Sequence, residues 1–219
     1  ENGSIVIASQ QSEGRGRMGR SFYSPAGTGL YMSMILHVNQ DFAGAQFTTI
    51  YAAVAVCRVI NRLSGKEGKI KWVNDILLDG KKVCGILTES ISDFESGMVQ
   101  TIILGIGLNI KTKTFPEDIR DIADSLEISH IPRNRFVAEI ANEILLLKQE
   151  SGEAVIAEYK RRSMMLGREI EYVDKGVQRS GKVLDINDNG HLLVKENGQV
   201  TPLVYGEVSL KKSGIYGRS

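Results

Sequence analysis

The chain has 219 residues, room for one sizeable domain or a domain with a small appendage, and its 42% hydrophobic and 24% charged content is ordinary for a globular protein. Twenty-seven basic side chains against twenty-six acidic ones leave a formal charge of +1, which excludes capture of nucleic acid or an anionic membrane by a whole-molecule field, so any anion site must be local. Cys57 and Cys84, each among aliphatic residues, read as buried small hydrophobes in a reducing compartment, and with no secretory leader and no membrane-length apolar run the expected location is cytoplasmic.

In chain order, apolar β-rich runs at 4–8, 30–36, 69–73, 76–78, 83–88 and 99–107 read as strands. Asp79-Gly80 between two of them is a hairpin signal. Residues 47–63 are apolar nearly all round, which predicts a helix buried against a sheet. Pro116-Glu117-Asp118 resembles a helix start, with Ile119, Ile122, Ala123 and Leu126 on one face. Phe136, Val137, Ile140, Ile144, Leu145 and Leu147 give a second amphipathic stripe, and a third helix is expected over 153–166. After Gly167 the texture changes to short runs at 169–173, 181–186, 192–195, 200–203 and 208–210, with Asn189-Gly190 and Asn197-Gly198 as turn signals. That spacing predicts a small β-barrel. The expected fold class is α+β, a mixed sheet packed with helices over 1–166, followed by a small β domain over 167–219.

Chemistry is expected first at Glu13-Gly14-Arg15-Gly16-Arg17-Met18-Gly19-Arg20. Its glycines permit close backbone approaches, and its arginines grip phosphate or carboxylate oxygens in pairs. It lacks the Gly-Lys-Ser/Thr of a phosphate-binding Walker loop and opens no apolar helix as a dinucleotide fingerprint does. Taken alone, it reads equally as an anion grip, a solvated basic turn or an RNA-contacting Arg/Gly segment. Lys71-Trp72-Val73-Asn74-Asp75 then places a cation, an amide and a carboxylate at a strand end, suited to phosphate, Mg2+ or nucleotide groups. Trp72 as a core residue and Asn74-Asp75 as a simple turn is the competing reading. Lys82 precedes Gly85-Ile86-Leu87, and Gly105-Ile106-Gly107-Leu108-Asn109 ends a strand with glycines of the kind found where a ligand presses on backbone.

These four segments, with the closing Gly206-Glu207-Val208-Ser209-Leu210, resemble in order the signature motifs of biotin–protein ligases. The resemblance covers nearly the whole chain. It implies a class II synthetase-like catalytic domain, over 1–166, and a C-terminal SH3-like barrel, over 167–219. It also implies a two-step reaction in which biotin and Mg·ATP give biotinyl-5′-adenylate, which then acylates one lysine of a carrier domain of a biotin-dependent carboxylase. ATP with Mg2+ is the implied co-substrate, and no tightly bound prosthetic group is implied. Carried over by position, Gln11 falls near the biotin ureido ring, Gly14, Arg15, Gly16 and Arg17 in the loop over biotin and its adenylate, and Lys82 at the biotin carboxylate and phosphate. Gly85, Gly105 and Gly107 fall on the pocket floor. Phe22 falls where an aromatic packs on adenine, and Arg17, Arg20, Lys71, Asn74, Asp75 and Asn109 on the nucleotide and phosphate side. Lys82 and Arg17 are the expected catalytic residues; no protein metal ligands are assigned.

Three departures accompany the resemblance. The family's ureido-binding Ser/Thr-Thr-Asn segment, upstream of the first strand, is not among these residues, so weaker biotin affinity or another supplying segment is expected. Val73 stands where the motif usually has proline. No winged helix is present, so DNA is an expected partner only if such a domain exists elsewhere in the protein. The resemblance also implies a homodimer through sheet edges. Lipoate–protein ligase chemistry is the alternative enzyme reading, and a nucleic-acid-binding module using the Gly/Arg loop is the alternative of another class.

Overall fold

The computed structural model describes residues 1–93, 95–174 and 176–211. It is an α+β fold with two sheets. Six strands form the larger: β1 (Ile5–Ala8), β2 (Gly29–Gln40), β3 (Lys69–Lys71), β4 (Asp75–Leu78), β5 (Lys81–Ser92) and β6 (Val99–Asn109), in the order β1-β2-β6-β5-β4-β3. All its ladders are antiparallel, and parallel pairing is confined to isolated bridges, Ile70 to Ser163 and Lys82 to Ala123. Strict alternation explains how the sheet buries one face: Leu30, Met32 and Met34, and likewise Leu104, Ile106 and Leu108, are nearly inaccessible to solvent, and the residues between them turn the other way.

Helices α1 (Phe42–Ser64), α2 (Arg133–Leu147) and α3 (Gly152–Arg162) cover that buried face. α1 starts where the Asp41 side chain accepts the Gly44 amide at 2.8 Å, and it stops at Gly65 in the left-handed region. It touches both the sheet and the other two helices, which accounts for the full burial of 52–57 around its whole circumference. Arg58 of α1 bonds Glu143 of α2 at 3.1 Å, Glu158 of α3 at 2.6 Å and Glu150 at 2.7 Å, tying the helical layer together.

The second sheet, SH3-like, contains β7 (Glu169–Asp174), β8 (Val177–Ile186), β9 (Leu192–Glu196), β10 (Gln199–Leu203) and β11 (Val208–Leu210), in the order β10-β9-β8-β7-β11. Asp79-Gly80 and Asn197-Gly198 make the expected two-residue hairpins, each with positive φ at both residues.

Two expected helices change. Residues 117–122 form turns only, and Ile122 is 62% exposed. The backbone there is used for pairing instead: Lys82 N donates to Ile122 O at 2.8 Å, Asp124 N to Lys82 O at 2.9 Å and Leu126 N to Asn109 O at 2.9 Å. So short a segment forms too few helical bonds to outweigh those pairings. α3 ends at Arg162, four residues early, because Met164 N donates to Ile70 O at 3.0 Å beside β3. Among the described residues no helix is long and apolar enough to cross a membrane.

Candidate active site

The face opposite the helices carries the candidate residues, and strand register lines them up. Ala8, Tyr31, Gly107, Gly85, Asp75 and Lys71 are successive cross-strand partners, one from each strand, in a row running the full width of the sheet. Directly opposed residues share a face, so the row forms one continuous floor. The adjacent row, Leu30, Leu108, Cys84, Ile76 and Ile70, is almost wholly buried on the helix side. Burial there pushes the Cys84 thiol well above its ordinary value and leaves it a packing residue. On the floor side a second row holds Val6, Ser33, Gly105 and Leu87.

Lys82 reaches this floor through a bulge. Cys84 pairs with Ile76, but Leu77 pairs with Lys82, which leaves Val83 as an extra residue. Unbroken alternation would put Lys82 on the buried face with Cys84. Instead its ammonium lies 3.1 Å from where a Cβ on Gly85 would stand, on the floor. Bulges re-aim side chains beside active sites in this way. Nζ sits 2.8 Å from Asp75 Oδ1 in an ion pair, without the alignment of a full hydrogen bond, and 5.7 Å from the centre of the Phe22 ring.

The Gly/Arg loop lies above as a tight hairpin. Gln11 N donates to Ser24 O at 3.1 Å, Phe22 N to Gly14 O at 2.8 Å and Gly16 N to Arg20 O at 2.7 Å. At Gly14 a Cβ would come within 2.3 Å of Phe22 O, so only glycine fits. The arginines diverge from the tip. Arg17 Nη1 donates to Asn74 Oδ1 at 3.3 Å, Arg20 pairs with Glu207, just before β11, and Arg15 is exposed. Ser24 Oγ donates to Gln11 Oε1 at 2.7 Å. The Phe22 ring, expected on the adenine side, rests on the glycine floor: a Cβ on Gly107 would be 2.5 Å from it.

The 71–75 turn is braced from three directions. Trp72 Nε1 donates to Gly190 O, in the turn between β8 and β9, at 2.8 Å, Tyr159 OH of α3 to Val73 O at 2.9 Å, and Asn74 Nδ2 to Ile86 O at 2.8 Å. Trp72 is thus buried, as its competing reading had it, and also joins the two sheets. On the helix side of the sheet, next to Trp72 and Val73, lies a separate cleft of about 200 Å³ whose described walls include Arg17, Gln46, Thr49, Thr88, Ser90, Asn189 and His191. No acidic side chain lines it, and burial lowers the His191 pKa. At the other end of the floor Asn109, 3% exposed, donates Nδ2 to Asp124 O at 3.0 Å, while its Oδ1 has no partner among the described residues.

The structure therefore brings Gly85, Gly105, Gly107, Lys71, Asp75, Lys82, Asn109 and Phe22 to one face, with Gly14, Gly16, Gln11 and Arg17 in or beside the hairpin above it. Arg20 is the outlier, drawn toward Glu207. Tyr31 and Ser33, on the floor opposite Gly107 and Gly105, were missed by sequence reasoning; their polar character at alternate positions of an apolar strand was the available signal. Ser24 carried no signal. No group of three potential metal-ligating acidic, histidine or cysteine side chains occurs among the described residues.

A family model described as the biotin/lipoate A/B protein ligase family matches residues 1–109. Bifunctional ligase/repressor BirA of Bacillus spizizenii is 43% identical over 126 residues, 57% of this chain and 38% of that protein. Its namesake in Bacillus subtilis is 31% identical over 217 residues, 95% of this chain and 66% of that protein. The chain thus spans less than two thirds of the length of either relative. Among solved structures, biotin protein ligase from Aquifex aeolicus in complex with biotin and ATP matches with a TM-score of 0.81 at 24% identity, over 97% of this chain and 90% of that chain, a shared fold.

Proposed function

The chain belongs to the biotin/lipoate A/B protein ligase family, and we propose that it activates biotin with ATP to biotinyl-5′-AMP and transfers the biotinyl group to a lysine of a biotin carboxyl carrier domain. The observation that carries this reading is the cross-sheet row, two glycines wide at its centre and ending in Asp75 and Lys71, with Lys82 turned onto it. The glycines let the Phe22 ring lie directly on the floor as an apolar wall for a ligand ring, and the cationic end receives a carboxylate beside a phosphate.

In the first step a biotin carboxylate oxygen attacks the α-phosphorus, and the bond to pyrophosphate breaks. Two anions must meet in line, so the Lys82 ammonium, fixed by Asp75, and the Arg17 guanidinium, fixed by Asn74, offset their repulsion. The unpartnered Asn109 Oδ1 is an acceptor for a donor such as the adenine amino group. Mg2+ would enter on the triphosphate, since the described residues build no cage for it. In the second step the carrier lysine nitrogen attacks the acyl carbon, loses a proton, and AMP leaves. The hairpin over the floor shields the anhydride from water until then. Residues 1–166 act in this reading as the catalytic domain and 167–219 as an SH3-like domain that braces the 71–75 turn, and the free edge of β1 serves a homodimer.

The test offers biotin or lipoate, with Mg·ATP and either a biotin carboxyl carrier domain or a lipoyl domain. Biotinylation of one carrier lysine is expected. Lipoylation instead, or no modification, overturns the reading.

A further inference from the structure

We infer that Tyr159, in the helical layer, is a positioning residue for adenylate formation: its hydroxyl fixes the peptide that aims Asn74, and Asn74 in turn holds the Arg17 guanidinium; this rests on the proposed biotin ligase reading. Tyr159 of α3 is fully buried. Burial pushes its phenol well above the ordinary value, so the hydroxyl keeps its proton and must place it on an acceptor. That acceptor is Val73 O at 2.9 Å. The carbonyl belongs to the planar peptide joining Val73 to Asn74, so holding it restricts rotation of the backbone immediately before Asn74.

Asn74 is held on its far side by β5. Its own carbonyl accepts Ile86 N at 3.0 Å, and its Nδ2 donates to Ile86 O at 2.8 Å. A backbone carbonyl only accepts, so the second contact settles which end of the amide is nitrogen and turns Oδ1 toward Arg17. Arg17 Nη1 donates to that oxygen at 3.3 Å. This bond is already at the long end of the range, and a swing of Asn74 by a few tenths of an ångström would lose it. The floor at Gly85, Gly105 and Gly107 is set by the β5–β6 register and does not depend on the tyrosine. The hydroxyl therefore bears on the rate at which the two substrates are joined and not on biotin affinity.

The experiment compares the parent chain with Tyr159→Phe, Asn74→Ala and the double variant, reading single-turnover adenylate formation at saturating biotin and ATP, biotin titration and denaturant unfolding. Tyr159→Phe, which keeps the buried ring, is expected to form adenylate about tenfold more slowly with biotin affinity unchanged. Asn74→Ala is expected to be slowed at least as much, and adding Tyr159→Phe to slow it no further. The unfolding midpoint lost to Tyr159→Phe is expected to be lost in the Asn74→Ala background too, because the Val73 carbonyl is left unpaired in both. A tyrosine that only packs would slow both backgrounds by the same factor. The inference is overturned if Tyr159→Phe forms adenylate at the parent rate, if it slows the Asn74→Ala protein as much as the parent, or if biotin affinity falls along with the rate. Failure of the unaltered protein to form adenylate at all would instead remove the functional reading, and this inference with it.

Discussion

Asp75 and Lys82 face each other across a bulge, carboxylate oxygen to ammonium nitrogen 2.8 Å, at the point where the floor passes from glycine to charge. The lysine backbone is held as well, by its bonds to Ile122 and Asp124. A cation immobilised at backbone and head stabilises developing phosphate charge with little reorganisation. Lys82→Ala is expected to lower adenylate formation by roughly 10²–10³-fold. Asp75→Asn, which keeps the shape but releases the ammonium, should give a smaller loss. Single-turnover adenylate formation checks both, with melting temperatures expected to stay near the parent value because neither group is in the core. A collapsed melt for Lys82→Ala would make the lysine structural.

Gly107 and Phe22 should behave as a pair. A methyl at Gly107 would stand 2.5 Å from the ring and must push it off the floor. Gly107→Ala is expected to cost about 1–3 kcal/mol in stability and to weaken biotin binding more than tenfold. Titration and denaturant unfolding of the same sample separate the two effects. Unchanged biotin affinity would place the ligand elsewhere.

Much of this arrangement was legible in the residues, and the exceptions have physical causes. Alternation in 30–36 and 99–107 marks which strand residues are buried, so the strands and their inward faces are readable. The row across six strands is not, because register is a relation between strands and one slipped residue would turn a whole strand over. The extra Val83 is likewise silent until Lys82 and Cys84 are seen on opposite faces. The helix expected from Ile119, Ile122, Ala123 and Leu126 failed because its backbone found partners at Lys82 and Asn109. The burial of Trp72 belongs to the competing reading of its segment, and its partner Gly190 lies in the turn between β8 and β9, over a hundred residues away.

That partnership makes Gly190 a sensitive position. Its φ is +81°, and a Cβ would stand 2.1 Å from Ile50 Cδ1 of α1. Gly190→Ala is expected to destabilise the protein by about 2–3 kcal/mol through strain and clash together. Trp72→Phe, which removes the bond to Gly190 O and shrinks a buried ring system, should destabilise by a similar amount, about 2–3 kcal/mol. Denaturant unfolding checks both; a Gly190→Ala protein as stable as the parent would mean that the turn moves clear of Ile50.

Acid should loosen the helical layer. Burial pushes the Glu158 carboxyl up, but hydrogen bonds from Arg58 and Arg162 outweigh it and hold the group below its ordinary 4.5. Hydrogen bonding to Arg58 likewise lowers Glu150. A depressed folded pKa contributes stability that is complete above the ordinary value and lost as pH falls through it toward the folded value. The contribution of these two carboxylates is therefore expected to be flat near neutrality and to drop below about pH 4.5. Arg58→Met should cost about 1–3 kcal/mol near neutral pH, because Glu143 and Glu158 keep only Arg62 and Arg162 as partners, and should flatten the acid limb. Unfolding free energies across that range decide it; an equally steep acid limb would place the acid sensitivity elsewhere.

The central claim is that the glycine floor and its charged end join biotin to the nucleotide. Exchange of labelled pyrophosphate into ATP measures that joining alone, with no carrier protein in the tube. Exchange that requires biotin, is not supported by lipoate and disappears with Lys82→Ala is the predicted result. Exchange supported equally by lipoate, or none with either acid, would contradict it.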